Sequence, residues 1–122
     1  RHYCAGQQPI PIQEAATALW NDDDHAEKNR KKYKQKFQMA KNIFKKEYGF
    51  YMPDGGFYLW LNVGNGEKIT QELWQKEGIK VMPGSYLSKT SASKKYIRVA
   101  LVGNISETNT ALKNIYKLLN NI

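Results

Sequence analysis

The residue with the most chemistry to explain is Arg98, the one charge inside Tyr96-Ile97-Arg98-Val99-Ala100-Leu101-Val102. The stretch has the β-branched and aromatic content of a strand, and alternation puts Ile97, Val99 and Leu101 on one apolar face. Tyr96, Ala100 and Val102 share the other face, with Arg98 in the middle of it. A strand apolar on both sides is expected to be covered on both sides, so Arg98 should start from a sheltered place. A guanidinium is permanently charged, and desolvating it unpaired costs on the order of several kcal/mol. Two readings stand side by side. One is an edge strand whose arginine reaches water along its stem. The other is an arginine aimed at a cleft, where its planar fork grips a carboxylate through two parallel hydrogen bonds.

The other reactive side chains make no complete constellation. His25 sits beside Asp22, Asp23 and Asp24, where helix capping accounts for the carboxylates. A metal site would want a second histidine at helical spacing, and the sequence has none, so no metal is expected. His2 and His25 both lie early in polar surroundings, and no Ser-His-acid or Cys-His order is formed. Cys4 is the only cysteine; it can form no internal disulfide, which suits a reducing compartment. Gly64-Asn65-Gly66 precedes a helix but lacks the spacing and third glycine of a phosphate-binding loop. On bare chemistry this segment is not a complete enzyme.

The elements that must position Arg98 follow from periodicity. With 122 residues, 41% hydrophobic and 25% charged, the chain has the length of one domain with a modest core. No apolar run is long enough to span a bilayer, and no signal-peptide pattern stands at the start. The first residue is Arg1 and no element obviously begins there, so a piece of a longer polypeptide is expected. The net charge of +8 sits mostly on one segment between Glu27 and Tyr48, which reads as the solvated face of a helix. Phosphate binding would need those lysines to converge on a groove or to pair with stacking aromatics, so no nucleic acid is expected.

After Pro11, Ile12, Ala15, Ala16, Leu19 and Trp20 fall on one side of a helix. Asp24 with Glu27 resembles a capping box for a second helix from His25 to about Tyr48, with Tyr33, Phe37, Ala40 and Phe44 as its buried stripe and Gly49 as its stop. Pro53-Asp54-Gly55-Gly56 is a turn. Phe57 to Val63 is a strand, with Phe57, Leu59, Leu61 and Val63 on one face and Tyr58, Trp60 and Asn62 on the other. A helix with Ile69, Leu73 and Trp74 inward ends at Gly78. Ile79 to Met82 is a short strand closed by Pro83-Gly84. Ser85 to Lys95 is a surface loop. After the Arg98 strand, Ser106 caps a last helix that buries Ala111, Leu112, Ile115, Leu118 and Leu119. The sum is an α+β domain: three short strands in a largely antiparallel sheet, with helices on one side.

Three motifs carry a resemblance. Pro53-Asp54-Gly55-Gly56-Phe57-Tyr58-Leu59-Trp60-Leu61 resembles the P-x-G-G-F-Y-L-W motif of class I/II, fold type I aminotransferases. Gly78-Ile79-Lys80-Val81-Met82-Pro83-Gly84 is similar to that family's G-[IV]-x-[VL]-x-P-G segment. Tyr96 to Leu101 matches its late arginine-bearing strand. The leading part (Gly6 to Gln13, Ala15-Ala16, Trp20, His25, Asn29-Arg30 and Tyr33) is most similar to the N-succinyldiaminopimelate aminotransferase branch, and aspartate- and alanine-type enzymes share much of it. The likeness implies the small C-terminal domain of such an enzyme over residues 1–122, with 1–24 connecting it to a missing large domain. It implies that Arg98 binds the substrate α-carboxylate, and that Gly55, Gly56, Pro83 and Gly84 shape the cleft. It implies pyridoxal 5'-phosphate held mainly by the missing domain, amino-acid and 2-oxo-acid substrates, and a cytoplasmic homodimer of lysine biosynthesis when full length. The likeness also implies that the lysine that bonds the cofactor lies upstream, so no catalytic and no cofactor-binding residue is expected in this segment, which alone should be inactive. A non-catalytic basic binding module is the alternative.

Overall fold

The computed structural model describes residues 6–121, and Arg1, His2 and Cys4 lie outside them. The chain divides into two compact units between Lys32 and Tyr33.

In the first unit, α1 runs Ile10–Trp20 and α2 begins at Asp23. The carbonyl of Pro9 accepts from the Ile12 and Gln13 N–H groups at 3.0 and 3.1 Å, and proline stands in the first turn, where a missing donor is harmless. The expected helix forms, but α1 has no buried residue, and Ile12, Leu19 and Trp20 are exposed. Asp22, rather than Asp24, caps α2. Its Oδ1 accepts from the Asp24 N–H at 3.0 Å and the His25 N–H at 3.4 Å, while Oδ2 stands 3.1 Å from His25 Nδ1. The hydrogen bond from His25 holds the Asp22 carboxyl below its ordinary value.

The second unit begins inside α2, which ends at Phe44. Phe37, Ala40 and Phe44 are buried as their spacing requires. Expected to continue to about Tyr48, the helix stops earlier, because Lys45 takes a left-handed turn at φ 53°. A 3₁₀ turn, Glu47–Gly49, follows. Tyr48 ends up edge-on to Phe44 and Tyr116, its hydroxyl donating to Asn120 Oδ1 at 2.7 Å.

The sheet consists of β1 (Tyr58–Asn62), β2 (Met82–Pro83) and β3 (Tyr96–Ala100), all antiparallel in the order β1-β3-β2. Leu59, Leu61, Ile97 and Val99 point into the core and meet Phe37 and Phe44 of α2, Ile69 and Leu73 of α3 (Gly66–Glu77), and Leu112 and Ile115 of α4 (Ile105–Asn120). The α+β layer arrangement thus matches the sequence reading, with helices on one face. The other face is not covered: Ala100 and Val102 are exposed, and Tyr96 and Arg98 are half-buried. An antiparallel sheet needs only one packed side. Being apolar on both faces did not require β3 to be buried on both.

Two helix details differ from expectation. Trp74 is 60% exposed, because Ile69 and Leu73 already define the inward stripe and one more residue turns about 100° away. Asn104, not Ser106, caps α4: its Oδ1 accepts from the Glu107 N–H at 2.8 Å, and Glu107 Oε2 accepts from the Asn104 N–H at 3.2 Å. The reciprocal pair satisfies two otherwise orphan donors. Asn104→Ala should therefore lower stability by about 1 kcal/mol, and Ser106→Ala by less than about 0.5. Urea denaturation of the two variants separates the assignments.

Candidate functional site

β3 is the middle strand, which removes the edge-strand reading of Arg98. Its backbone is flanked on both sides, Trp60 of β1 standing opposite Arg98 across one ladder and Met82 of β2 across the other. Strand alternation puts these side chains on the open face together with Tyr58 and Tyr96. The residue is half-buried, and among the described residues it makes no ion pair. Instead the guanidinium lies over the Tyr58 ring, Cζ 4.4 Å from the centroid. Trp60 and Tyr96 meet edge-to-face at 6.4 Å beside it.

Magnitudes decide what this arrangement can do. A partly exposed cation–π contact contributes about 0.5–1 kcal/mol, and it leaves the five N–H donors of the guanidinium available. Each hydrogen bond between charged partners contributes about 1.5–3 kcal/mol. An incoming carboxylate can therefore take the donors in the guanidinium plane, while the ring below holds that plane in place. The chemistry on offer is anion capture on an aromatic floor.

The other expected residues are placed differently. Gly55 and Gly56 lie in the exposed loop leading into Tyr58, Gly56 at φ 96°, and a Cβ on either would meet nothing within 4 Å. Pro83 pairs with Ile97 in the sheet, next to Met82. Gly84 is buried beneath the chain that returns to β3: a Cβ there would strike the Ser93 carbonyl oxygen and come within 3.2 Å of the Tyr96 carbonyl oxygen. Close backbone passage explains that glycine. Met82 and Pro83 also line a cavity of about 530 Å³ with Thr70, Trp74 and Tyr86, and Arg98 is not part of its lining. The structure thus brings Arg98, Tyr58, Trp60 and Met82 together, and leaves Gly55 and Gly56 on an open loop.

Lys36 escaped the sequence reading. It belongs to the lysine run taken as a solvated face, yet it is 6% exposed and its Nζ donates to the Leu101 and Gly103 carbonyls at 2.7 and 2.6 Å. The signal was its spacing, three residues after Tyr33 and four before Ala40, on the buried stripe.

Residues 1–115 match the sequence model of the family "Aminotransferase class I and II". The chain belongs to that family. Solved structures agree with the match. An aminotransferase from Neisseria meningitidis superposes with a TM-score of 0.87 at 33% identity, over 98% of this chain and 32% of its own. Aminotransferase AspB from Helicobacter pylori gives 0.89 at 33% identity, over 98% of this chain and 31% of its own. The probable aminotransferase Rv1178 of Mycobacterium tuberculosis is 28% identical over 102 residues, 83% of this chain and 24% of that protein. This aminotransferase chain therefore spans about a quarter to a third of the length of these relatives.

Aminotransferases of classes I and II generally use pyridoxal 5'-phosphate. The face around Arg98 does not by itself fit that group. None of the positions that share the Arg98 face by alternation and register is a lysine, and Lys36, on the buried side, is engaged with two carbonyls. What the face offers is a guanidinium whose N–H donors suit an anion. Among the described residues no helix is long and apolar enough to cross a membrane, and no cluster of His, Cys, Asp and Glu is arranged to hold a metal.

Proposed function

We propose that this chain is the carboxylate-binding part of a pyridoxal-phosphate-dependent aminotransferase, which moves an amino group between an amino acid and a 2-oxo acid. The observation that supports it most is Arg98: a guanidinium on the central strand, held on a tyrosine ring, with its donors uncommitted to any carboxylate among the described residues. In this reading Arg98 binds the α-carboxylate of the substrate, and Tyr58, Trp60 and Met82 set where that carboxylate enters. Gly55, Gly56, Pro83 and Gly84 shape the neighbouring loops. The cofactor, held by the rest of the protein, supplies the electron sink for amino transfer. The residues of this chain contribute orientation, which fixes the angle of the reacting bond and is worth several kcal/mol of barrier, on the order of a hundredfold or more in rate.

The motifs at the start of the chain favour the N-succinyldiaminopimelate type, within lysine biosynthesis; an aspartate- or alanine-type specificity is the nearest alternative. A homodimer in the cytoplasm, with residues 1–24 leading in from a large domain, completes the proposal. The segment alone is inactive in this reading, since it lacks the cofactor's lysine. The test is isotope transfer in the full-length protein loaded with pyridoxal phosphate. With a panel of ¹⁵N-labelled amino acids and 2-oxo acids, ¹⁵N should appear in the newly formed amino acid for at least one pair and for none with residues 1–122 alone. No transfer above the blank by the full-length protein, across the panel, contradicts the proposal.

A further inference from the structure

A single buried ammonium is connected to Arg98 by two routes. The first is along the backbone. Lys36 Nζ donates to the carbonyls of Leu101 and Gly103, within three residues of the end of β3, at 2.7 and 2.6 Å. The Leu101 N–H in turn donates to the Phe57 carbonyl at 2.8 Å, fastening the end of β3 to the start of β1. The second route runs through rings. Lys36 Nζ lies 4.9 Å from the centroid of Tyr33, and Tyr33 lies 6.1 Å from Phe57. Phe57 is 4.0 Å from Tyr58, and Tyr58 lies under the Arg98 guanidinium at 4.4 Å. The first route ends on the backbone just past the strand that carries Arg98, the second on the Arg98 side chain itself.

Packing alone does not call for a charge here. An apolar residue of similar volume avoids the desolvation cost of a buried ammonium, and Phe37, Ala40 and Phe44 fill the same stripe without one. What an ammonium adds is direction: short charge-assisted bonds that fix two carbonyls at the end of β3. We propose that Lys36 is a positioning residue for Arg98. It holds the end of the arginine's strand, and through Tyr33 and Phe57 it holds the ring on which the guanidinium rests. The proposal rests on the reading of Arg98 as the carboxylate-binding group, and it names the device that keeps the fork aimed.

The test uses the full-length enzyme with two independent readouts. One is the inhibition constant of a plain monocarboxylate, propionate, alongside KM and kcat for the amino-acid substrate. The other is the ring-current shift of the Arg98 Nε–H resonance, assigned by its loss in Arg98→Lys, which needs no turnover. Lys36→Met should raise the propionate constant and KM together by about tenfold while kcat falls by less than about threefold, as expected when a charge-assisted geometry is loosened before the chemical step. The Arg98 resonance should move toward its unshifted position, and Lys36→Arg should restore both readouts. A Lys36→Met enzyme that is folded, with both constants within about twofold of wild type and the resonance unmoved, overturns the proposal. Should Lys36→Met fail to fold, Tyr33→Leu keeps the two carbonyl bonds and removes the ring route. An unmoved resonance and an unchanged propionate constant there overturn the ring route, and with it the proposal as stated. If Arg98→Lys itself leaves the propionate constant unchanged, the carboxylate reading fails, and the resonance shift still decides whether Lys36 positions Arg98.

Discussion

Arg98→Lys in the full-length enzyme should cut kcat/KM for the amino-acid substrate by about 10- to 100-fold with no loss of fold. The estimate comes from the hydrogen bonds removed. A carboxylate gripped by a guanidinium accepts two parallel bonds, each contributing about 1.5–3 kcal/mol. An ammonium on a shorter, rounder head keeps the charge but satisfies one oxygen well and the other poorly. Losing one such bond at 1.4 kcal/mol per factor of ten gives the stated range. The loss should fall on KM and kcat together, because a substrate held by one oxygen pivots and spends less time in the reactive orientation. Steady-state kinetics of wild type and variant, with an equilibrium melt to show that both are folded, check it. Stability should barely change. Arg98 makes no ion pair among the described residues, and its ring contact with Tyr58 contributes about 0.5–1 kcal/mol.

The largest effect on stability belongs to Phe44. It is fully buried at the end of α2, stacked on Phe50 at 6.2 Å and edge-on to Tyr116 at 5.8 Å and Tyr48 at 6.4 Å. It therefore joins α2, the chain leading to β1, and α4. Phe44→Ala should cost about 3–5 kcal/mol, transfer of the ring plus the cavity it leaves. That is a large share of a domain stability of about 5–15 kcal/mol. Trp74→Ala, although it deletes a larger side chain, should cost less than about 1 kcal/mol, because that ring is 60% exposed. The urea midpoints of the two variants give the comparison directly. A Trp74 variant as damaged as the Phe44 variant would mean that α3 buries its tryptophan after all.

What was readable in the sequence was whatever depends on a period. Alternation in β1 and β3 put Leu59, Leu61, Ile97 and Val99 on one face, and those residues are buried. Helical spacing found Phe37, Ala40 and Phe44, and the Leu112 to Leu119 stripe of α4. Gly78 stops α3 with φ 65°, its N–H reaching the Leu73 and Trp74 carbonyls, because a residue without Cβ takes that conformation cheaply.

Most of what escaped depends on partners distant in the chain. Lys36 looked like its solvated neighbours until the carbonyls of Leu101 and Gly103 arrived beside it. α2 turned off at Lys45, and Tyr48 beyond it met Tyr116 and Asn120 instead of extending the helix. Asn104 outcompeted Ser106 as a cap because Glu107 stands three residues later, a reciprocal pattern that the sequence did contain. Arg98 itself was found by its incongruity. Its place on the middle strand rather than an edge required knowing that β2 pairs on its far side.

In the proposed function the Arg98 fork holds the substrate's acid group. The most direct measurement is a crystal structure of the full-length enzyme with a 2-oxo acid bound. Both carboxylate oxygens should lie within about 2.7–3.2 Å of two guanidinium nitrogens, with Tyr58 still beneath the plane. A 2-oxo acid whose carboxylate is held by other groups, while Arg98 stays on Tyr58 with its donors turned to solvent, would contradict it.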